Sequence, residues 1–280
     1  LAPNELFEIS FRVAGEPAAV VAEAPDAEAV FIGPDRRERR VPDFPYQEYY
    51  PQETERGAVL RPAGAPERRI RFRPTLPGLW SWRVTFAAGD AAAAAQSFAG
   101  ALDCAVGGPA GADRPAEAAR RILAGVGRTA LFPAATEVRL AGDAEQVRAF
   151  FFDDLTAKAE RLPARAVRLP VEWDARWHGF GGLGRFNQEL SWLYDRWLEA
   201  RRADTAAGEG PRPWVLFDGE TLGGLGLFNW FGNPLSAALG GPARVPGEVF
   251  RAPRAAELIA ARLRYEPARF GHSPTLGPAV

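Results

Sequence analysis

The sequence contains no methionine, not even at position 1, and a single cysteine, Cys104. One cysteine excludes an internal disulfide, and its expected role is that of a small buried hydrophobe. Histidine is nearly as scarce. His178 and His272 lie far apart, and together with one cysteine they give no metal-ligand spacing, so no metal site is expected. An excess of positive charge is also missing. The formal net charge is -1, which argues against a nucleic-acid partner. Of the 34 basic residues only Lys158 is a lysine. With the heavy use of alanine, glycine and proline, this bias points to a GC-rich bacterial genome. No apolar run approaches the roughly 18 residues needed to cross a bilayer. The chain is therefore expected to have no transmembrane segment and to be soluble or peripheral. The start Leu1-Ala2-Pro3 fits a trimmed or processed N-terminus, with a removed signal peptide as one cause. Phosphate-binding signatures are lacking too. Gly181-Gly182-Leu183-Gly184 and Gly223-Gly224-Leu225-Gly226 have neither a Gly-Lys-Ser/Thr ending nor Gly-x-Gly-x-x-Gly spacing. They read as flexible loops, no cofactor is expected, and no serine-centred nucleophile elbow occurs.

What is present suffices for a substantial core. The 280 residues are 47% hydrophobic and 25% charged, which suggests one large domain or two ordinary ones. The first hundred residues read as β. Leu6 to Val13 alternates apolar and polar side chains, the period of a half-buried strand. Ala19 to Ala24 and Ala29 to Ile32 follow as short strands, the latter ending at the turn signal Gly33-Pro34-Asp35. Arg69 to Pro74 alternates again. Leu79 to Phe86 follows the turn dipeptide Pro77-Gly78, and Ser97 to Ala105 can close the sheet. Ala91 to Ala95, after Asp90, reads as a hairpin tip. Short strands at this spacing predict a β-sandwich over residues 1–106.

Gly107-Gly108-Pro109-Ala110-Gly111-Ala112 then reads as a linker, residues 107–112. Over 113–280 the pattern changes to strand alternating with helix. Ala130-Leu131-Phe132-Pro133, Ala166 to Val171 and Trp214 to Asp218 are the candidate strands. Asp143 can cap a helix from about Ala144 to Arg161, with Val147, Phe150, Phe151 and Leu155 on its apolar stripe. Asn187 to Arg202 is amphipathic through Leu190, Leu193, Tyr194 and Trp197. A last helix is predicted over about Ala255 to Arg269. This alternation predicts a parallel sheet or barrel.

Two stretches resemble a known arrangement. Asn4 to Val13, with Phe72-Arg73-Pro74, Pro77-Gly78 and Trp80-Ser81-Trp82, resembles the DUF5060-type Ig-like domain that precedes some glycoside hydrolase barrels. Residues 129 to 274 resemble the start of the (β/α)8 barrel that follows it. The best-matching segments are Gly184 to Glu189, Asn229 to Pro234, Arg262 to Tyr265 and Ala268 to Pro274. The expected fold class is thus multidomain, β plus α/β: an N-terminal Ig-like β-sandwich and a C-terminal partial (β/α) barrel. The resemblance implies an acid/base glutamate in an Asn-Glu pair after the fourth strand and a nucleophilic glutamate near the seventh. Here Ser273-Pro274 leads into Thr275 to Val280 with no Asn-Glu pair. Ala134-Ala135-Thr136-Glu137 stands where the family has a Gly-Glu-Asn type segment, and the histidine expected after the third strand is replaced around Gly219-Glu220. No catalytic residue of that family can be assigned.

Candidate ligand-binding residues remain on the loops after the predicted strands. Glu172, Asp218 and Glu220 could face a sugar, although rim carboxylates that are merely capped or solvated look the same in sequence. Trp173, Trp177 and Trp230, with Asn229 and Asn233 beside the last, could stack on and hydrogen-bond a carbohydrate; packing of a long loop is the competing reading. His178 and His272 read as ordinary loop residues. Trp80 and Trp82 lie on one predicted strand, and at least one is expected in the core.

Two functions are compatible with these features. The first is a non-catalytic accessory or structural subunit on a hydrolase scaffold, extracytoplasmic (periplasmic or secreted). It would bind carbohydrate or a protein partner that covers the incomplete barrel, with peripheral attachment to a membrane complex as one version. The second is a fragment of an active secreted glycosidase whose catalytic carboxylates lie beyond Val280.

Overall fold

The computed structural model describes residues 1, 3–12, 27–55, 59–86, 97–106, 186, 188–206, 230, 233 and 235–273, together with the strand segments 131–139, 146–151, 166–167 and 214–215. Seven strands make two antiparallel sheets. Strands β1 (Phe7–Phe11), β5 (Val59–Phe72) and β4 (Phe44–Gln52) form the first sheet in the order β1-β5-β4. The second has the order β3-β2-β6-β7, from β3 (Glu38–Pro42), β2 (Ala27–Ile32), β6 (Gly78–Phe86) and β7 (Ser97–Cys104).

Alternation decides which side chains go inward. Phe7 and Ile9 of β1 stand opposite Phe72 and Ile70 of β5. Ala29 and Phe31 of β2 stand opposite Val84 and Trp82 of β6. These inward rows meet in one core of Ala27, Ala29, Phe31, Ile70, Phe72, Trp80, Val84, Leu102 and Cys104, with Phe7, Ile9, Phe11 and Trp82 packed against it. Phe31 stacks on Phe72 with centroids 4.1 Å apart. Trp80 is fully buried, and its Nε1 donates to the Leu76 carbonyl at 2.9 Å, so the indole has its hydrogen bond inside the core. A side chain at Gly33 would meet the Trp80 ring at 2.9 Å. The turn Gly33-Pro34-Asp35 is therefore tied to the core as well as to the β2–β3 connection, closed by Arg36 N–H donating to the Gly33 carbonyl at 2.9 Å.

The sequence did not announce β3 and β4. Their residues are charged, proline-bearing and aromatic, and the alternation is broken by a bulge at Gln47, between the paired positions Tyr46 and Glu48. The buried Gln47 amide satisfies the backbone freed there, donating to the carbonyls of Glu48, Ala63 and Gly64 at 2.9, 3.2 and 3.3 Å.

The expected partial (β/α) barrel is not what the described residues form, and the predicted fold class is corrected on this point. Residues predicted as a helix from Ala144 to Arg161 contain strand β9 (Gln146–Phe151), antiparallel to β8 (Leu131–Arg139). The reason lies in an ambiguous pattern. Val147, Phe150 and Phe151 suit a helical stripe, but the same residues also carry strand formers, and in the antiparallel ladder Val147 pairs with Val138 and Arg148 with Glu137. Among the described residues, parallel pairing is limited to the two-residue strands Ala166–Val167 (β10) and Trp214–Val215 (β11) and one isolated bridge between Ser236 and Ala243. The two long helices, α1 (Gln188–Ala206) and α2 (Pro253–Phe270), do not wrap a parallel barrel. They lie against the outer face of the first sheet, where α1 touches β4 and α2 touches β4 and β5. Trp192 of α1 sits edge-on to Tyr49 at 6.1 Å, and Tyr265 of α2 edge-on to Phe44 at 6.4 Å. Neither helix among the described residues is long and apolar enough to cross a membrane.

Candidate functional site: a buried arginine–carboxylate cluster

The outward face of the first sheet carries Glu8 from β1, Phe44, Tyr46 and Glu48 from β4, and Arg69 and Arg71 from β5. Such a row normally faces water, but here the two helices cover it. The helices bring their own charges. Asp195 lies near the middle of α1 and Arg269 in the last turn of α2.

Asp195 is the junction of three elements. Its Oδ1 accepts from Arg71 Nη1 at 2.8 Å, and its Oδ2 accepts from Arg269 Nη2 and Nε at 2.8 and 3.2 Å. The carboxylate is 9% exposed, Arg71 6% and Arg269 0%. Arg71 also donates through Nε to Glu8 at 2.6 Å, and Arg69 reaches the other Glu8 oxygen at 2.7 Å. Arg269 spends Nη1 on the Gln188 amide oxygen and the Tyr265 hydroxyl, at 2.8 and 2.7 Å. Glu48 is a second junction, accepting from Tyr46 Oη at 2.8 Å, Trp192 Nε1 at 2.7 Å and Arg196 Nη2 at 3.1 Å. The arginine planes are used too. Arg69 lies over the Tyr46 ring at 3.5 Å, and Arg269 approaches the same ring at 5.0 Å.

The electrostatics follow from this packing. Burial works to raise the Asp195 carboxyl, but Arg269 and Arg71 outweigh it and hold the group below the usual carboxylate range. Glu48 is similarly lowered against its burial, by the hydrogen bonds from Trp192 and Tyr46 and the charges of Arg196 and Arg69. Burial, followed by the charge on Asp195, pushes the Tyr46 phenol up to about 12. His272, two residues past α2, is driven the other way. Burial and the charges of Arg71 and Arg73 hold its imidazole well below the ordinary histidine range, and its enclosed Nδ1 has no hydrogen-bond partner among the described residues. Both carboxylates are thus locked as anions and the imidazole as the neutral form. That suits a fixed electrostatic joint between layers and does not suit proton transfer.

Of the candidate ligand-binding residues, Trp230 and Asn233 are described. Both are buried and bonded within their own loop. Trp230 Nε1 donates to the Arg244 carbonyl at 2.9 Å. Asn233 Oδ1 accepts from Leu235 N–H at 2.9 Å, and its backbone N–H donates to the Trp230 carbonyl at 3.0 Å. Glu172, Trp173, Trp177, Asp218, Glu220, Asn229 and His178 lie outside the described residues. Among the described residues no group of three or more His, Cys, Asp or Glu could hold a metal ion. Sequence reasoning missed Glu8, Glu48, Asp195 and Arg269. The available signal was the row Arg69, Arg71 and Arg73 on alternate positions at the end of β5 and just past it, paired with a helix whose aromatic residues flank Asp195 in sequence.

No family model matches this chain, and no curated protein or solved structure matches it either.

Proposed function

We propose that this chain is a non-catalytic accessory or structural protein, in which the charged residues serve to fasten helices to a sheet. One observation carries the reading. Among the described residues, the charged group around Arg71, Asp195 and Arg269 is closed on itself, with Asp195 accepting from both arginines, Glu8 from Arg71 and Gln188 from Arg269. Glycoside hydrolysis, the activity raised by the sequence resemblance, needs one carboxyl kept protonated as general acid beside a second, ionised one. Glu48 and Asp195 are both lowered, which is the opposite arrangement for the first role.

The test is turnover. The full chain is incubated with a panel of aryl glycosides and with soluble polysaccharides, and released phenol or reducing ends are counted. The expected result is no hydrolysis above blank, with or without retardation in polysaccharide-containing native gels. Hydrolysis that disappears in Glu48→Gln or Asp195→Asn, with the circular dichroism of the parent retained, would overturn the proposal.

A further inference from the structure

Charge fastens the two helices to the first sheet. Asp195 of α1 joins Arg71 of β5 to Arg269 of α2, and Arg73, just past β5, donates to Glu199 of α1 at 3.2 Å. His272 sits beside this joint. It follows the last turn of α2, closed by Gly271 N–H donating to the Pro267 carbonyl at 3.0 Å and Ser273 N–H to the Phe270 carbonyl at 2.9 Å. Among the described residues, four groups act on its ring: Arg71 and Arg73 from β5 and its end, Asp195 from α1, and the Arg269 backbone from α2.

The neutral ring fits this place and the charged ring does not. A neutral imidazole has one N–H and one acceptor nitrogen, whereas an imidazolium has two donors. Nδ1 is enclosed and has no hydrogen-bond partner among the described residues. An idle acceptor there is tolerable, but a buried charged donor with nothing to bond is costly. Charge opposes the proton too. Two guanidiniums stand against one carboxylate, and Asp195 already serves both Arg71 and Arg269. The residue as a whole is only half-buried, so a proton has a way in.

We propose that His272 is an acid-sensitive release for the helix layer: its protonation frees α2, and α1 with it, from the outer face of the first sheet while the two sheets stay packed on each other. The inference rests on the arginine–carboxylate cluster being a joint between layers. Undocked, the imidazole is in water and takes its proton at the ordinary value, about 6.5. Docked, it is held well below that value. The docked state therefore binds fewer protons. It is fully favoured above about pH 6.5 and loses ground as the pH falls towards the lowered value, by about tenfold per pH unit. Asp195 does not share this window, because its carboxyl is lowered and stays ionised through it. The core between the sheets is built of apolar side chains and takes up no proton. Release uncovers Phe44 and Tyr46, both fully buried when the helices are in place.

The experiment is hydrogen exchange read by mass spectrometry on the full chain from pH 7 to 5, with rates corrected for the intrinsic effect of pH. Peptides from Gln188–Ala206 and Pro253–Phe270 should lose at least about tenfold in protection between pH 6.5 and 5. Those from Ala27–Ile32 and Gly78–Phe86, in the sheet core, should keep theirs. His272→Gln and His272→Phe should retain the protection seen at pH 7 and lose the acid response; both variants keep His178, the other histidine. Circular dichroism at pH 7 establishes that each variant is folded, and the wild-type profile decides by itself where one is not. Wild-type helices as protected at pH 5 as at pH 7 overturn the proposal. So does a loss shared equally by helices and sheets, or an acid response that persists in the folded variants.

Discussion

Replacing Asp195 by asparagine keeps the shape of the side chain and removes one charge. The carboxylate is nearly buried between Arg71 and Arg269, both within 2.8 Å. Glu8 still answers Arg71 at 2.6 Å, but Arg269, fully buried, then faces neutral oxygens alone, those of Gln188, Tyr265 and the new amide, and has lost the anionic partner Asp195. Removing one member of a buried ionic group leaves an uncompensated charge out of water, which costs about 3–5 kcal/mol. With a urea m-value on the order of 2 kcal/mol/M, the unfolding midpoint of Asp195→Asn should fall by about 2 M. Trp192 and Trp197, both buried in α1, report the transition by fluorescence. Two comparisons make the measurement decisive. Glu257→Gln breaks the exposed Arg254–Glu257 pair on α2 and should cost less than about 1 kcal/mol. The triple replacement Arg71→Met, Asp195→Leu, Arg269→Met should be far milder than Asp195→Asn alone, because it removes the buried charges together. An Asp195→Asn loss below about 1 kcal/mol would mean that water reaches the cluster, and the account of the helix layer as an ionic joint would fail.

The pH dependence gives the same test a sign. Asp195 has its carboxyl lowered in the folded chain. Its contribution is therefore complete above the unfolded carboxylate pKa, about 3.9, and is lost as the pH falls through the lowered folded value. Asp195→Asn should flatten the stability curve in that acid window and leave its shape near neutrality unchanged.

His272 is lowered as well, so the folded chain rejects a proton that the unfolded chain accepts; stability should decline as the pH falls below about 6.5, and His272→Phe should remove that part of the slope in urea titrations from pH 7 to 4. Cys104 is 1% exposed, and burial raises its thiol. It should resist a thiol-reactive chromogenic disulfide in the native state and react at once in denaturant; rapid native labelling would place it outside the core.

Much of the β architecture can be traced to residues whose alternation is strict. Leu79 to Phe86 reads as a strand because Trp80 and Val84 go inward while Leu79, Ser81 and Thr85 stay exposed, and the structure has β6 there. Period alone failed over Gln146–Phe151. Val147, Phe150 and Phe151 fit a helical stripe, and only the pairing of Val147 with Val138 and of Phe151 with Leu131 marks the segment as a strand. The cluster was hidden for a different reason. Alternation says that Arg69, Arg71 and Arg73 share a face opposite Ile70 and Phe72, and polar faces are ordinarily wet. Whether a second layer covers that face depends on a helix more than a hundred residues later. The clue that it is covered lies in α1, where Trp192, Tyr194 and Trp197 surround Asp195. An acid placed among three buried aromatics requires a buried cation, and the first sheet holds a row of them. The arginines of β5 and the acid of α1 are thus two halves of one contact, and neither half is informative until the other is placed against it.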